Sequence, residues 1–305
     1  MVLVDVLLNV VVVVTALLVA TAIPVIGFVR LAELSNHVRP RLRQAAPYLG
    51  VLAATLLVNS VTRRIGPEVS WIIGWEITGI IYGIEGTLVP TLQSLSPPWL
   101  VTYFSLTYVY GYVYLLVFPL LAYLAIDDQE PFRKTVVAYT FNYAIGLMCY
   151  LLFIAYGPRN LLPNLVDPLL YVNWPRSQIL TSEVNVNTNV FPSLHTSLSA
   201  TVAILAYRTR DQYPRWLAAS VVVAISVIFS TMVLGIHWAT DVVAGLVLAV
   251  VSVRLADRVE DRHHGEAEGD EADESDDEER DEADEARPGV DEPGDDEELD
   301  ATATA

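Results

Sequence analysis

Residues 216–254 have the sequence WLAASVVVAISVIFSTMVLGIHWATDVVAGLVLAVVSVR. Two apolar runs, 216–234 and 238–254, flank a short turn-forming stretch that contains His237. A helix that crosses the hydrocarbon core of a bilayer needs an apolar run of roughly this length. The stretch therefore predicts two membrane-spanning helices that meet at one membrane surface.

Five more apolar runs of similar length precede this stretch, at 3–29, 47–62, 101–126, 135–156 and 193–209. Only helices and closed barrels satisfy backbone polar groups in lipid, and these runs are too long for barrel strands. The predicted fold class is therefore all-α, a polytopic transmembrane helical bundle of about seven spans. The less apolar stretch 71–94, which contains Glu76 and Glu85, fits an interfacial or re-entrant helix.

The charge of the chain is concentrated at its C-terminal end. The whole chain carries a formal charge of −18, and the residues after Arg258 hold 23 acids and three arginines. A segment so poor in apolar residues cannot offset the entropy lost on ordering, so residues 259–305 are predicted to be a disordered acidic tail. We expect three regions: N-terminal membrane helices with an interfacial segment (1–100), a catalytic helical core (101–258) and the tail. The acidic tail and the predominance of arginine over lysine also indicate a halophile.

Basic residues predict the orientation of the spans. Arginines and the single lysine cluster in 30–46, 127–134 and 208–215 and at the exit of the last span. All four clusters lie on one side if seven spans alternate, and the positive-inside rule makes that side cytoplasmic. The tail is then cytoplasmic, whereas the long 157–192 segment, His195 and His237 lie at the outer surface of the cell membrane.

Three local patterns at this outer surface are candidate chemistry. His237 and Asp241 are four residues apart at a helix start, so the carboxylate can fix the imidazole tautomer; a simple helix cap is the alternative. Ser193 can cap the helix predicted at 193–209, which also carries His195, and the free N–H groups at that helix start can bind a phosphate. The alternative is that Ser193 is a helix cap and nothing more. Arg159 can bind phosphate oxygens in a bidentate fork, or contact lipid headgroups.

These blocks resemble the type 2 phosphatidic acid phosphatase superfamily. Pro192-Ser193-Leu194-His195 is similar to the second signature block of that family, and Ser230-Thr231-x5-His237-x3-Asp241 has the spacing of the third. The wording Phe191-Pro-Ser-Leu-His195 is similar to the branch that contains inositol phosphorylceramide synthases. The chain departs from the family in two ways. Thr231 occupies a position where an arginine is usual, and the lysine-containing first block is absent, although Arg159 lies near its expected position. The resemblance covers roughly residues 135–254.

The resemblance implies a metal-independent reaction on lipid phosphates, with no cofactor. It implies that His237 attacks phosphorus, that Asp241 orients His237, and that His195 protonates the leaving oxygen and then activates water. Ser193 and Arg159 are the expected phosphate-binding residues, and no metal ligands are expected.

The leading hypothesis is a lipid-phosphate phosphatase that works through a phosphohistidine. The alternatives are a phosphotransferase that moves a phospho-headgroup between a lipid and an alcohol, and a non-catalytic membrane protein of the same fold. The expected partners are the bilayer and a lipid phosphate substrate, with no nucleic acid. The sequence leaves the oligomeric state open.

Overall fold

Helix makes up 82% of the computed structural model, which describes residues 2–174 and 189–285. In chain order the elements are α1 (Val2–Ile26), α2 (Phe28–Ile73), β1 (Trp75–Glu76), α3 (Thr78–Glu85), α4 (Leu88–Ser94), α5 (Pro98–Leu106), a π-helical turn (Thr107–Gly111), α6 (Tyr112–Leu124), α7 (Glu130–Leu152), β2 (Phe153–Ile154), α8 (Pro158–Leu161), α9 (Leu169–Asn173), α10 (Leu194–Arg208), α11 (Pro214–Val233) and α12 (Ala239–Glu285). The predicted all-α membrane bundle is confirmed.

Six helical segments among the described residues are long and apolar enough to cross a membrane. They are Leu3–Ile26, Phe28–Thr62, Pro98–Leu124, Glu130–Leu152, Pro214–Val233 and Ala239–Arg262. The other predicted span, 193–209, forms α10, whose 15 residues extend only about 22 Å. This helix lies inside the bundle, since Leu198, Val202 and Ala206 are fully buried on it.

The basic segment 30–46, which separates the predicted spans 3–29 and 47–62, forms the first part of the continuous helix α2. Gly27, at φ 90°, turns the chain between α1 and α2, a backbone angle that glycine adopts without steric cost. Arg41 then donates to the carbonyl oxygens of Leu124 and Ile126 at 2.8 and 3.0 Å. These bonds satisfy carbonyls at the end of α6 and attach α2 to the core.

The stretch 71–94 breaks into short elements, none of which is long enough to span a bilayer. The strand β1 within it pairs in parallel with β2, which directly follows α7. Three large side chains in and beside this stretch, those of Trp71, Trp75 and Trp99, are exposed, and tryptophan is enriched at membrane–water interfaces. This arrangement holds α3 and α4 next to the end of the bundle where α7 and β2 meet.

The chain divides after Glu260 into two units, Met1–Glu260 and Asp261–Ala305. Helix α12 continues past this boundary to Glu285, and glutamate, a good helix former, is the most frequent residue of this part. Of the tail predicted to be disordered, residues 259–285 therefore belong to this helix in the structure. Residues 286–305 lie outside the described residues.

Glu260 is the last side chain of the first unit and is nearly completely buried. Its carboxylate accepts from Arg133 Nε and Nη2, with Glu260 Oε2 2.9 Å from Nη2. Glu260→Ala leaves this guanidinium without its partner, so we expect a loss of about 1–3 kcal/mol of unfolding free energy. Thermal unfolding in detergent measures the loss, and Asp261→Ala, at an exposed neighbouring position, is the matched control. Equal midpoints for the two variants would contradict the prediction.

Candidate active site

The turn between α11 and α12 positions His237. The N–H groups of Ile236 and His237 both donate to the Thr231 carbonyl, at 2.9 and 3.0 Å. Gly235 occupies the left-handed region at φ 69°, and a β-carbon there would lie 2.5 Å from Val166 Cγ1. A glycine is therefore required at this position on both conformational and steric grounds. The turn determines the backbone position of His237.

Asp241 holds the imidazole of His237 from the first turn of α12. Its Oδ2 atom accepts from the Trp238 N–H at 2.9 Å and lies 3.3 Å from His237 Nδ1. Both side chains are buried. With the Nδ1 proton directed at the carboxylate, Nε2 keeps its lone pair, which is the form a nucleophilic histidine needs.

Ser193 caps the start of α10 and directly follows the cis Phe191–Pro192 bond. Its hydroxyl oxygen accepts from the Thr196 N–H at 3.3 Å, and its own N–H donates to the Asp241 carbonyl at 3.1 Å. A β-carbon at Gly245 would lie 2.6 Å from the Ser193 carbonyl oxygen, so glycine lets α12 approach this closely. The two predicted sequence blocks thus meet through their backbones.

His195 lies beside His237 in the same site. The two imidazole ring centroids are 6.4 Å apart. The ring of His195 also contacts two tyrosines, with centroids 4.5 Å from Tyr108 and 4.3 Å from Tyr112. The structure therefore brings the two predicted histidines together.

Arg159 joins the site through its backbone. Its N–H donates to the Gly235 carbonyl at 3.1 Å, while its guanidinium carbon lies 4.7 Å from the centre of the Tyr171 ring. The Nη1 atom is buried and has no hydrogen-bond partner among the described residues. Arg159 therefore borders the turn that positions His237, and its Nη1 donor is unused among the residues that the structure describes.

Thr231 occupies the position where the resemblance predicts an arginine, but its side chain does not act as an arginine would. Its hydroxyl donates to the Ile228 carbonyl at 2.7 Å, a bond within its own helix, and the residue is fully buried. The Thr231 side chain therefore forms its hydrogen bond within the last turns of α11. The positive charge that the resemblance leads us to expect at this position is therefore not supplied by residue 231.

Sequence reasoning missed two residues that support the site from the 71–94 stretch. Glu85 accepts with its two carboxylate oxygens from the N–H groups of Ala239 and Thr240 at the start of α12. Gln93 donates to the carbonyls of Val233 and Asp167, both at 3.0 Å. An acidic residue within an otherwise apolar stretch was the available signal for Glu85; nothing in the sequence pointed to Gln93.

Glu85→Ala removes both acceptors from the start of α12. We expect about a 10- to 100-fold loss of turnover, because a small displacement of His237 and Asp241 spoils their alignment. Glu76→Ala is the matched control, since Glu76 accepts from the Thr78 N–H at 2.8 Å, a bond that stays within the same stretch. Steady-state kinetics of the two purified variants checks the prediction, and equal turnover would refute it.

Comparison with known proteins gives one match. The family model described as the PAP2 superfamily matches residues 87–255, more than half of the chain. The match begins earlier than the resemblance at 135–254 and includes α4 to α6, but it leaves out α1 to α3. No curated protein and no solved structure matches the chain.

Proposed function

Because the chain belongs to the PAP2 superfamily, whose members are generally phosphatases and phosphotransferases, we propose that it hydrolyses a membrane lipid phosphate through a phosphohistidine. The observation that carries the proposal is the pairing of His195 and His237, with ring centroids 6.4 Å apart, where Asp241 contacts one nitrogen of His237 and leaves the other available.

In the first half-reaction, His237 Nε2 attacks phosphorus and the bond from phosphorus to the lipid oxygen breaks. Protonated His195 gives its proton to that oxygen, so the lipid leaves as a neutral alcohol. Asp241 stabilises the positive charge that develops on the His237 ring. The products of this half-reaction are the lipid alcohol and a phosphohistidine.

In the second half-reaction, neutral His195 takes a proton from a water molecule, and the water oxygen attacks the phosphohistidine. The bond from phosphorus to Nε2 breaks, inorganic phosphate leaves, and His237 recovers its lone pair. His195 ends the cycle protonated, as it began. Proton transfer by this one residue in both halves requires no metal ion.

Phosphate binding is assigned to Ser193 and Arg159. The Ser193 hydroxyl accepts from the Thr196 N–H, which leaves its own proton to donate to a phosphate oxygen. The buried, unpartnered Nη1 of Arg159 supports a second donor that also carries charge. With Thr231 in the place of the family arginine, Arg159 is the cation we assign to neutralise the phosphoryl group.

The protein is a multi-pass membrane protein with six candidate spans among the described residues. We place the active site on the extracytoplasmic side and the tail in the cytoplasm, following the arginine distribution. We also retain the division into N-terminal helices at 1–100 and a catalytic core at 101–258. Glu85 and Gln93 are the contacts through which the first region would support the second.

Thr231 favours one second candidate, a phosphotransferase similar to inositol phosphorylceramide synthases. A site without the usual arginine binds a free phosphate dianion less strongly, which suits a phosphodiester headgroup with one negative charge. In such an enzyme an alcohol hydroxyl replaces water in the second half-reaction. The same two histidines would serve both reactions.

The deciding experiment measures phosphate release by the purified protein across a panel of lipid phosphates, in chelator, beside His237→Ala. Turnover that the variant lacks supports the phosphatase. If phosphate release is absent but an added alcohol is phosphorylated or receives a headgroup, the transferase is correct. Inactivity of the wild-type protein in both assays would identify the non-catalytic alternative.

A further inference from the structure

Two tyrosine rings contact His195. The Tyr108 ring stacks on the imidazole at 4.5 Å between centroids with an interplanar angle of 21°, and the Tyr112 ring lies at 4.3 Å and 38°. Both distances are in the range of direct ring contact. Neither tyrosine belongs to the sequence blocks that identified the histidines.

The backbone that carries this pair is irregular. Tyr108 lies in the π-helical turn Thr107–Gly111, and the Tyr112 N–H donates to the Thr107 carbonyl five residues back. Single π-helical turns inside α-helices are found frequently at functional sites. The turn places two rings that are four residues apart on the same side of the helix, where α10 presents His195.

We propose that Tyr108 and Tyr112 are positioning residues that hold His195 towards His237 and favour its protonated form. The role of His195 as proton donor rests on the proposed function. Aromatic faces attract cations through the ring quadrupole, so two faces against one imidazole favour the imidazolium. This attraction offsets the cost that partial burial imposes on a charged ring.

Two further tyrosines and His237 are the other ionisable groups close to the Tyr108–Tyr112 pair and His195. Tyr143, on α7, is hydrogen bonded to Tyr112, and the Tyr150 hydroxyl, also on α7, donates to the Pro192 carbonyl at 3.1 Å. Both phenols are neutral at physiological pH. From α12, His237 opposes a charge on His195 when it is itself protonated, whereas an anionic phosphoryl group between the rings favours that charge.

Leucine and phenylalanine substitutions separate the ring faces from the hydroxyls. Tyr108→Leu and Tyr112→Leu each remove one aromatic face from His195. The alkaline limb of the plot of kcat against pH reports loss of the proton donor. We expect each substitution to move this limb to lower pH by about half a unit to one unit. Phenylalanine at either position keeps the face and restores the limb. KM changes little in all four variants.

Tyr110→Leu is the matched control from the same turn. Its ring lies 5.6 Å from that of Trp174, and its hydroxyl donates to Asn9 Oδ1, so it packs away from His195. If the alkaline limb of the kcat–pH profile shifts as far in Tyr110→Leu, loss of any large side chain from the turn causes the shift. That result would overturn the proposal. Phenylalanine variants that shift as far as the leucine variants would overturn it too.

A second readout does not depend on turnover. Histidine side chains labelled with ¹⁵N report their protonation by NMR, and His195→Gln identifies the signal of His195. The proposal requires this signal to titrate at lower pH in the two leucine variants than in wild type or Tyr110→Leu. If the titration of His195 is unchanged in the leucine variants, the proposed role of Tyr108 and Tyr112 is wrong, even in an active enzyme. If the titration shifts as expected but the protein has no turnover, only the proposed function is wrong.

Discussion

His237→Ala is expected to abolish the phosphoenzyme and to reduce turnover by about 10⁴-fold or more. The variant lacks the imidazole nitrogen that we propose to attack phosphorus, and an alanine side chain offers no other nucleophile. The measurement is single-turnover labelling with a lipid carrying radioactive phosphate, followed by acid and base treatment of the denatured protein. A phosphohistidine is labile in acid and stable in base.

His37→Ala is the matched control for this variant. His37 lies exposed on α2, where its ring nitrogen is 2.9 Å from the Glu33 carbonyl oxygen, and it should label and turn over like wild type. Labelling of His237→Ala at the wild-type level would contradict the assignment of the nucleophile. Loss of labelling together with a lower thermal midpoint would call for His237→Gln, which keeps most of the side-chain volume.

His195→Ala is expected to lower turnover by about 10²–10⁴-fold, the usual contribution of a general acid–base residue. The loss should fall on departure of the lipid oxygen in the first half-reaction and on activation of water in the second. The measurement is the rate of each half-reaction, with release of the lipid alcohol followed separately from release of phosphate.

A substrate with a good leaving group tests the same residue more sharply. A nitrophenolate departs without a proton, so a nitrophenyl phosphate ester should form the phosphoenzyme at nearly the wild-type rate in His195→Ala. The phosphoenzyme should then accumulate, since water is not activated. A variant equally slow with both substrates in the first half-reaction would show that His195 acts on something other than the leaving oxygen.

The pairing of His237 with Asp241 could be predicted from the sequence because the interaction is local. Residues four apart at a helix start lie on one face, and the observed separation of 3.3 Å between Nδ1 and Oδ2 realises that spacing. The cap at Ser193 is local in the same sense. Its hydroxyl accepts from a residue three positions later, as serine at a helix start commonly does.

The partners of these local units could not be predicted in the same way. Ser193 reaches Asp241, Glu85 reaches Ala239, and both contacts join segments far apart in the chain. Apolar runs of similar composition do not specify which helix packs against which, since many faces of such helices suit lipid or protein equally well. The tyrosines around His195 were hidden for this reason, within a run that reads only as one more span.

The sequence by itself determined the membrane-helical class, the two histidine blocks and the local geometry within each, because hydrophobic length and spacing within one helical turn dictate them. The tertiary structure decided that the blocks meet and that the 71–94 stretch supports the start of α12. Those features depend on close backbone approaches, such as that of Gly245 to Ser193, which arise only when the helices pack.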